Sequence, residues 1–393
     1  MATTPALGLA ESLDRLGTET AFSVLARAKA LEREGRDIIH LELGEPDFAT
    51  PKHICDAAAA ALAAGETHYC PAAGLPELRE AVAEYFADSR GIEVEPERVL
   101  VANGAKPFLF FTILATCNPG DEVVYPDPGF PIYESAIRWA GAVPVALPLL
   151  EERDFAFDPE DLAELVGPRT KLVILNSPQN PTGGAVGASE IGEAARILAD
   201  TSAWILSDEV YSQMVYEGEF ASVTSTAGLL ERTVLLDGFS KTWAMTGWRC
   251  GFAAVPEPLV DPLVRFFVNS TSCVPPFVQL AGIAALEGPQ DEPRAMIEEF
   301  RARRDLIVQG LNALPGVSCR VPRGAFYAFP NVADVPISAD ELATRLLDEA
   351  GVALLAGSAF GRVRVDNIRI SYANSRENLE RALERMDDFL RAL

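Results

Sequence analysis

Between about residue 50 and residue 290, short runs of β-branched and other apolar residues alternate with longer stretches of helical period. No other feature restricts the fold as strongly. The runs are RVLVA (98–102), DEVVYP (121–126), VPVALP (143–148), KLVILN (171–176), AWILSDE (203–209), TVLLDG (233–238) and GFAAV (251–255). Several are apolar throughout rather than at every second position, the pattern of strands buried on both faces of a parallel sheet. Helical patterns lie between them, as at 75–88, 106–116, 189–199 and 257–269, and an Ala-rich helix is expected around 57–64. The alternation predicts an α/β domain at residues 48–290, with a mostly parallel sheet of seven strands and crossover helices.

After about residue 291 the pattern changes. A long polar-rich helix (292–314) leads to short strands around VSCRVP and AFYAFP, a helix (339–350), the strand NIRISYA and a terminal helix (375–390). Together with an N-terminal helix at 22–34, these predict a smaller α+β domain made of residues 1–47 and 291–393. Repeats, low-complexity tracts and long linkers are absent from the sequence.

Composition narrows the chemistry. Lys and Arg number 33 against 57 Asp and Glu, a formal net charge of −24. A surface this acidic repels phosphate backbones and anionic lipid, so neither nucleic acid nor a membrane is an expected partner. Six cysteines lie scattered without a C-x-x-C, and the three histidines, His40, His53 and His68, cannot form a paired ligand spacing, so no metal site is expected. The start of the chain lacks a basic region followed by an apolar core, and the longest apolar stretches fall far short of the roughly 20 residues of a membrane span. The expectation is a soluble, cytoplasmic protein.

The segment with the most chemistry is DGFSKTWAMTGWRCG (237–251). Lys241 follows the strand TVLLDG at its carboxyl end, where α/β proteins place ligands. A partly desolvated Lys loses its proton more easily and becomes a nucleophile able to form a Schiff base. Arg249 follows the Thr246–Gly247 turn and is suited to fork onto a phosphate. In SPQNPTGG (177–184) the turn-forming Pro and Gly residues hold Asn180 at a strand exit, with an amide free to donate. AWILSDEVY ends an apolar strand in Asp208, with Tyr211 three residues later. A carboxylate at a buried strand end needs a cation, and a protonated pyridine nitrogen supplies one. Singly these are an ordinary turn, cap and surface Lys; jointly they fit pyridoxal 5'-phosphate.

With these residues in place the chain resembles the fold-type I pyridoxal-phosphate enzymes, specifically the class I/II aminotransferases of the aspartate aminotransferase-like group. The resemblance runs from LELGEPDF (41–48) through HYCPAAGLPELREAVA, NGAK, PDPGFPIY, NSPQNPTGG, SDEVY, GFSKTWAMTGWRCG and GAFY to NIRISYA (367–373). It implies that Lys241 is the Schiff-base lysine and proton-transfer base, that Asp208 partners the pyridine nitrogen, and that Asn180 and Tyr211 donate to the phenolic oxygen. It further implies that backbone amides of Ala105 and Lys106, with Arg249 and Ser240, hold the phosphate, and that Phe130 stacks on the ring. Arg369 then grips the substrate α-carboxylate, with Gly44 beside it. Tyr69 reaches the neighbouring subunit's phosphate, which implies a homodimer with shared active sites. The implied activity is transfer of an amino group between an L-amino acid and a 2-oxo acid by a ping-pong Schiff-base mechanism.

Several positions depart from the commoner family pattern. Gly238 stands three before Lys241, where many relatives carry a phosphate-binding Ser; Ala356 replaces a frequent Pro; and Phe22–Ser23 differs from a small residue plus Thr. The resemblance also implies that Lys106, at a position where a Lys helps recognise acidic side chains in similar bacterial aspartate aminotransferases, favours a donor such as aspartate or glutamate, whereas Phe22 is compatible with an aromatic or less conventional one. A fold-type I enzyme of another reaction type, such as a C–S lyase or a specialised amino-acid-modifying enzyme, would use the same central residues. An aminotransferase-like domain of a transcriptional regulator would need a DNA-binding module that the acidic chain does not supply.

Overall fold

The computed structural model describes residues 8–393; residues 1–7, where the segment read as lacking a secretory signal begins, lie outside the described residues. Numbered along the chain, the strands are β1 (Ile39–His40), β2 (Val99–Ala102), β3 (Glu122–Asp127), β4 (Val143–Leu150), β5 (Ala156–Phe157), β6 (Thr170–Asn176), β7 (Trp204–Asp208), β8 (Thr233–Gly238), β9 (Gly251–Ala254), β10 (Tyr327–Ala328), β11 (Val352–Ala353), β12 (Leu355–Ala356) and β13 (Ile368–Ser371). The large sheet runs in the order β2-β9-β8-β7-β6-β3-β4-β5. β3, β4, β6, β7 and β8 are parallel, β9 is antiparallel to both neighbours, and β5 is antiparallel to β4.

The seven strands expected from the sequence are all present, and the two-residue edge strand β5 makes an eighth. Their continuous apolar character has the predicted cause. Leu172, Ile174, Leu206, Val234 and Leu236 pack on one face, against residues such as Phe108 and Ile113 from the helix Lys106–Thr116 and Leu263 from the helix Glu257–Ser270. The alternate residues Val173, Leu175, Ile205 and Leu235 pack on the other, with Ile191 and Leu198, or with Leu78 and Phe86 of the helix Pro76–Arg90. Both faces are dry, so no strand needs polar alternation.

Beyond the large sheet, β10, β13 and β12 form an antiparallel sheet, and β1 pairs with β11. Met296, Phe300, Ile307 and Leu311 of the helix Asp291–Leu311 pack over Phe326, Ile368 and Ile370 in a separate core. Two expectations need correction. VSCRVP forms only an isolated bridge, Ser318 to Asn331. The Asn312 side chain takes both the N–H and the carbonyl of Cys319, and Pro322 has no N–H to offer, so a ladder cannot extend. The helix predicted at 339–350 is regular over Ala339–Arg345 and loosens into a π-turn at Leu346–Ala350. Among the described residues, no helix is long and apolar enough to cross a membrane.

Candidate active site

Asn176 and Asp208 end neighbouring parallel strands in register, and Asn176 Nδ2 donates to the Asp208 carbonyl at 2.9 Å. This ties the exits of β6 and β7 at one edge of the sheet. The turn after β6 carries Asn180, whose N–H donates to Asn176 Oδ1 at 3.3 Å. β8 leads directly into the short helix Phe239–Thr242, which holds Ser240 and Lys241. Because β9 is antiparallel to both β2 and β8, those two run the same way, so the helix Lys106–Thr116 begins at the same edge. Arg369, on β13 opposite Leu355 of β12 and with its guanidinium 4.8 Å from the centre of the Tyr327 ring, enters from the smaller sheet. These parts enclose a cavity of about 550 Å³, within the roughly 300–1,000 Å³ of small-molecule sites. Every predicted site residue except Tyr69 lines it; Tyr69 stands outside, 90% exposed.

At the centre, Lys241 Nζ donates to the Gly44 carbonyl at 2.5 Å. Burial, opposed by Glu45 and aided by Arg369, Arg249 and Lys106, brings its amine down to about 8. Asp208 Oδ2 accepts from the Tyr133 hydroxyl at 2.6 Å, and burial raises this carboxyl to about 6 against the pull of Tyr133, the Val210 N–H and Lys241. Tyr211 shares a 2.7 Å hydrogen bond with Tyr327, and burial together with that neighbour holds its phenol well above the ordinary range, so it remains a neutral donor.

Two regions of the cavity suit anions. The helix Lys106–Thr116 begins at Ala105 without a side-chain cap, which leaves its first amides and its positive dipole end facing the cavity. Arg249 lies over Gly104, where a Cβ would meet the guanidinium, and the Gly104 φ of 87° favours glycine in its own right. On the opposite side, Arg369 Nη1 donates to Asn180 Oδ1 at 3.0 Å and Nη2 to the Glu42 carbonyl, while its buried Nε has no partner among the described residues. The first bond fixes the Asn180 amide with its Nδ2 free to donate elsewhere. Gly44 is required here because a Cβ would overlap the Tyr327 hydroxyl.

Lys106 does two things. Its backbone opens the helix, as expected, but its ammonium pairs with Glu19 at the cavity mouth, near the rings of Phe130 and Phe22. Sequence reasoning assigned no role to Tyr133, Tyr327, Glu42 or Glu19. The two tyrosines lie inside quoted motifs, PDPGFPIY and GAFY, so their positions carried a signal that composition did not. Glu19 carried none, since only the folded N-terminal segment brings it to Lys106. Gly238 also has a structural reason: it faces Gly251 across β8 and β9, and a Cβ would come within 3.2 Å of the Gly251 Cα. Ser240 lines the cavity nearby.

This set fits pyridoxal phosphate. A buried carboxyl with a raised ionisation needs the cation that a ring nitrogen supplies, the uncapped helix with Arg249 matches a phosphate, and a desolvated Lys amine lines the same cavity. Comparison with known proteins agrees. The family described as aminotransferase class I and II matches residues 36–386. The chain is 39% identical to an aspartate aminotransferase of Geobacillus stearothermophilus, over 98% of this chain and 99% of that one. It is 38% identical to aromatic-amino-acid aminotransferase 2 of Thermococcus litoralis, over 98% and 99%. The crystal structure of the Rhizobium meliloti aspartate aminotransferase superposes with a TM-score of 0.93 at 38% identity, over 98% of this chain and 99% of the other.

Proposed function

The chain belongs to the class I and II aminotransferases, enzymes that move an amino group between an amino acid and a 2-oxo acid on pyridoxal phosphate, and from that premise we propose an acidic donor, aspartate or glutamate, and a role for each cavity residue. Pyridoxal phosphate supplies an aldehyde that condenses with the donor amine and a ring that draws off charge from the donor's α-carbon. Lys241 holds the cofactor between turnovers. Its Nζ then removes the donor's α-proton and, in the return half-reaction, delivers a proton to the acceptor's α-carbon. Asp208 keeps the ring nitrogen protonated, oriented by Tyr133. Asn180 Nδ2 and the Tyr211 hydroxyl donate to the ring oxygen. Amides of Ala105 and Lys106, with Ser240 and Arg249, hold the phosphate, and Phe130 covers the ring. Arg369 grips the α-carboxylate through its unpaired Nε–H, beside Gly44, and the Lys106 ammonium receives the donor's side-chain carboxylate.

In the same reading, residues 48–290 bind the cofactor, while residues 1–47 and 291–393 form the domain that carries Arg369 and Phe22. Two chains share their sites, with Tyr69 reaching the partner's phosphate, and its exposure in the single chain supports this. A cytoplasmic location goes with the whole. The convergence of Lys241 Nζ, Asp208 and Arg369 on one cavity carries the proposal. Lys241→Ala is expected to abolish turnover and the absorbance of the lysine-bound cofactor; near-normal turnover overturns the assignment. A second reading, an aromatic donor, is favoured by Phe22 and Phe130 at the cavity mouth. A panel of donors scored by cofactor absorbance separates the two.

A further inference from the structure

We propose that Glu19 is a specificity-determining residue, an internal carboxylate that competes with the side chain of an acidic donor for Lys106. The inference rests on the acidic-donor reading above. Glu19 immediately precedes the helix Thr20–Arg33 but makes no cap bond to it. Its carboxylate enters the cavity instead and pairs with Lys106 Nζ. The carboxylate is the more enclosed partner, with a side chain 16% exposed against 46% for Lys106. Lys106 Nζ also lies 5.3 Å from the centre of the Phe130 ring and 5.9 Å from that of Phe22. The Glu19 charge is felt at Arg369 as well.

A dicarboxylate donor has to set one carboxylate on Arg369 and the other on Lys106. Glu19 already holds the second position. An acidic donor therefore has to turn Glu19 away, or leave two carboxylates against one ammonium, which is unfavourable in a half-buried site. A neutral donor leaves the Glu19–Lys106 pair in place, roofed by Phe22 and Phe130. Glu19 thus lowers the preference for acidic donors over neutral ones without touching the reacting atoms.

The test is a single-turnover titration of the holoenzyme and of Glu19→Gln with aspartate, glutamate, phenylalanine and ornithine, read by cofactor absorbance. The expected result is that Glu19→Gln converts at about fivefold lower aspartate or glutamate concentration and at unchanged phenylalanine concentration, which also reports an intact fold. On a Lys106→Met background the Glu19→Gln effect is expected to vanish. Equal aspartate and glutamate curves for both proteins overturn the inference alone. Selective loss of ornithine conversion in Glu19→Gln also overturns it, since Glu19 would then be a receptor for a cationic side chain. Failure of aspartate and glutamate in both proteins, with phenylalanine converting, overturns the acidic-donor reading and this inference with it.

Discussion

Asp208 and Lys241 share a cavity, and burial moves each toward its neutral form, the carboxyl up to about 6 and the amine down to about 8. For Asp208 the folded value lies above the ordinary 3.8, so without cofactor the folded chain keeps a proton that the unfolded chain loses. Its contribution to stability therefore falls as pH rises from about 4 to 6 and stays low above that. Cofactor-free Asp208→Asn is expected to exceed the cofactor-free parent by about 3 kcal/mol in urea unfolding at pH 8, shrinking to about half of that at pH 5. With cofactor bound the order reverses, because the ring cation is then paired only in the parent. Lys241 behaves in the opposite sense: its free amine accumulates as pH rises through about 8. The rate at which the cofactor-free protein captures pyridoxal phosphate should climb with a midpoint near that pH, well below the ordinary range for Lys; a midpoint above 10 would contradict the burial argument.

The parallel strands aim these residues, and what lies behind them keeps the aim. The helix Pro76–Arg90 ends by burying Arg90 against Glu209 at 3.2 Å, Asp237 at 2.5 Å and Ser212 at 2.8 Å, on the residues that follow Asp208 and precede Lys241. Arg90→Ala leaves two carboxylates buried without a cation and is expected to lose about 3–5 kcal/mol in urea unfolding. Of the fold, the strands of the large sheet were legible because both faces are packed and their central residues are continuously apolar, as in Leu172–Leu175 and Val234–Leu236. β5 was not, since two residues carry no period, and VSCRVP misled because its β-branched composition is overruled by the Asn312 side chain. At the site, motif residues such as Lys241 and Asp208 were legible through their place at strand exits. Tyr133 and Tyr327 act through hydroxyls whose partners come from distant parts of the chain, and sequence spacing does not encode those contacts.

A net charge of −24 surrounds a cavity whose working groups are Lys241, Lys106, Arg249 and Arg369. The global field repels anions, and these four cations reverse it at short range. The proposed dimer turns on Tyr69, which lies outside its own cavity and is exposed in the single chain. Sedimentation is expected to show a dimer, and Tyr69→Phe to weaken cofactor retention about tenfold in equilibrium dialysis while leaving the dimer intact. The approach to the cavity has a different construction from its floor. Residues Glu11–Arg15 lie against the helix Ile132–Trp139, the Gly17 N–H donates to Ser135 Oγ at 2.9 Å, and the strap then delivers Glu19 and Phe22 to the mouth. In the proposed reading, catalysis belongs to the sheet edge, and the surface ribbon adds its own residues, Glu19 and Phe22, to the choice of substrate. Drift in a few ribbon residues can retune which amino acid is accepted while the machinery beneath is inherited unaltered.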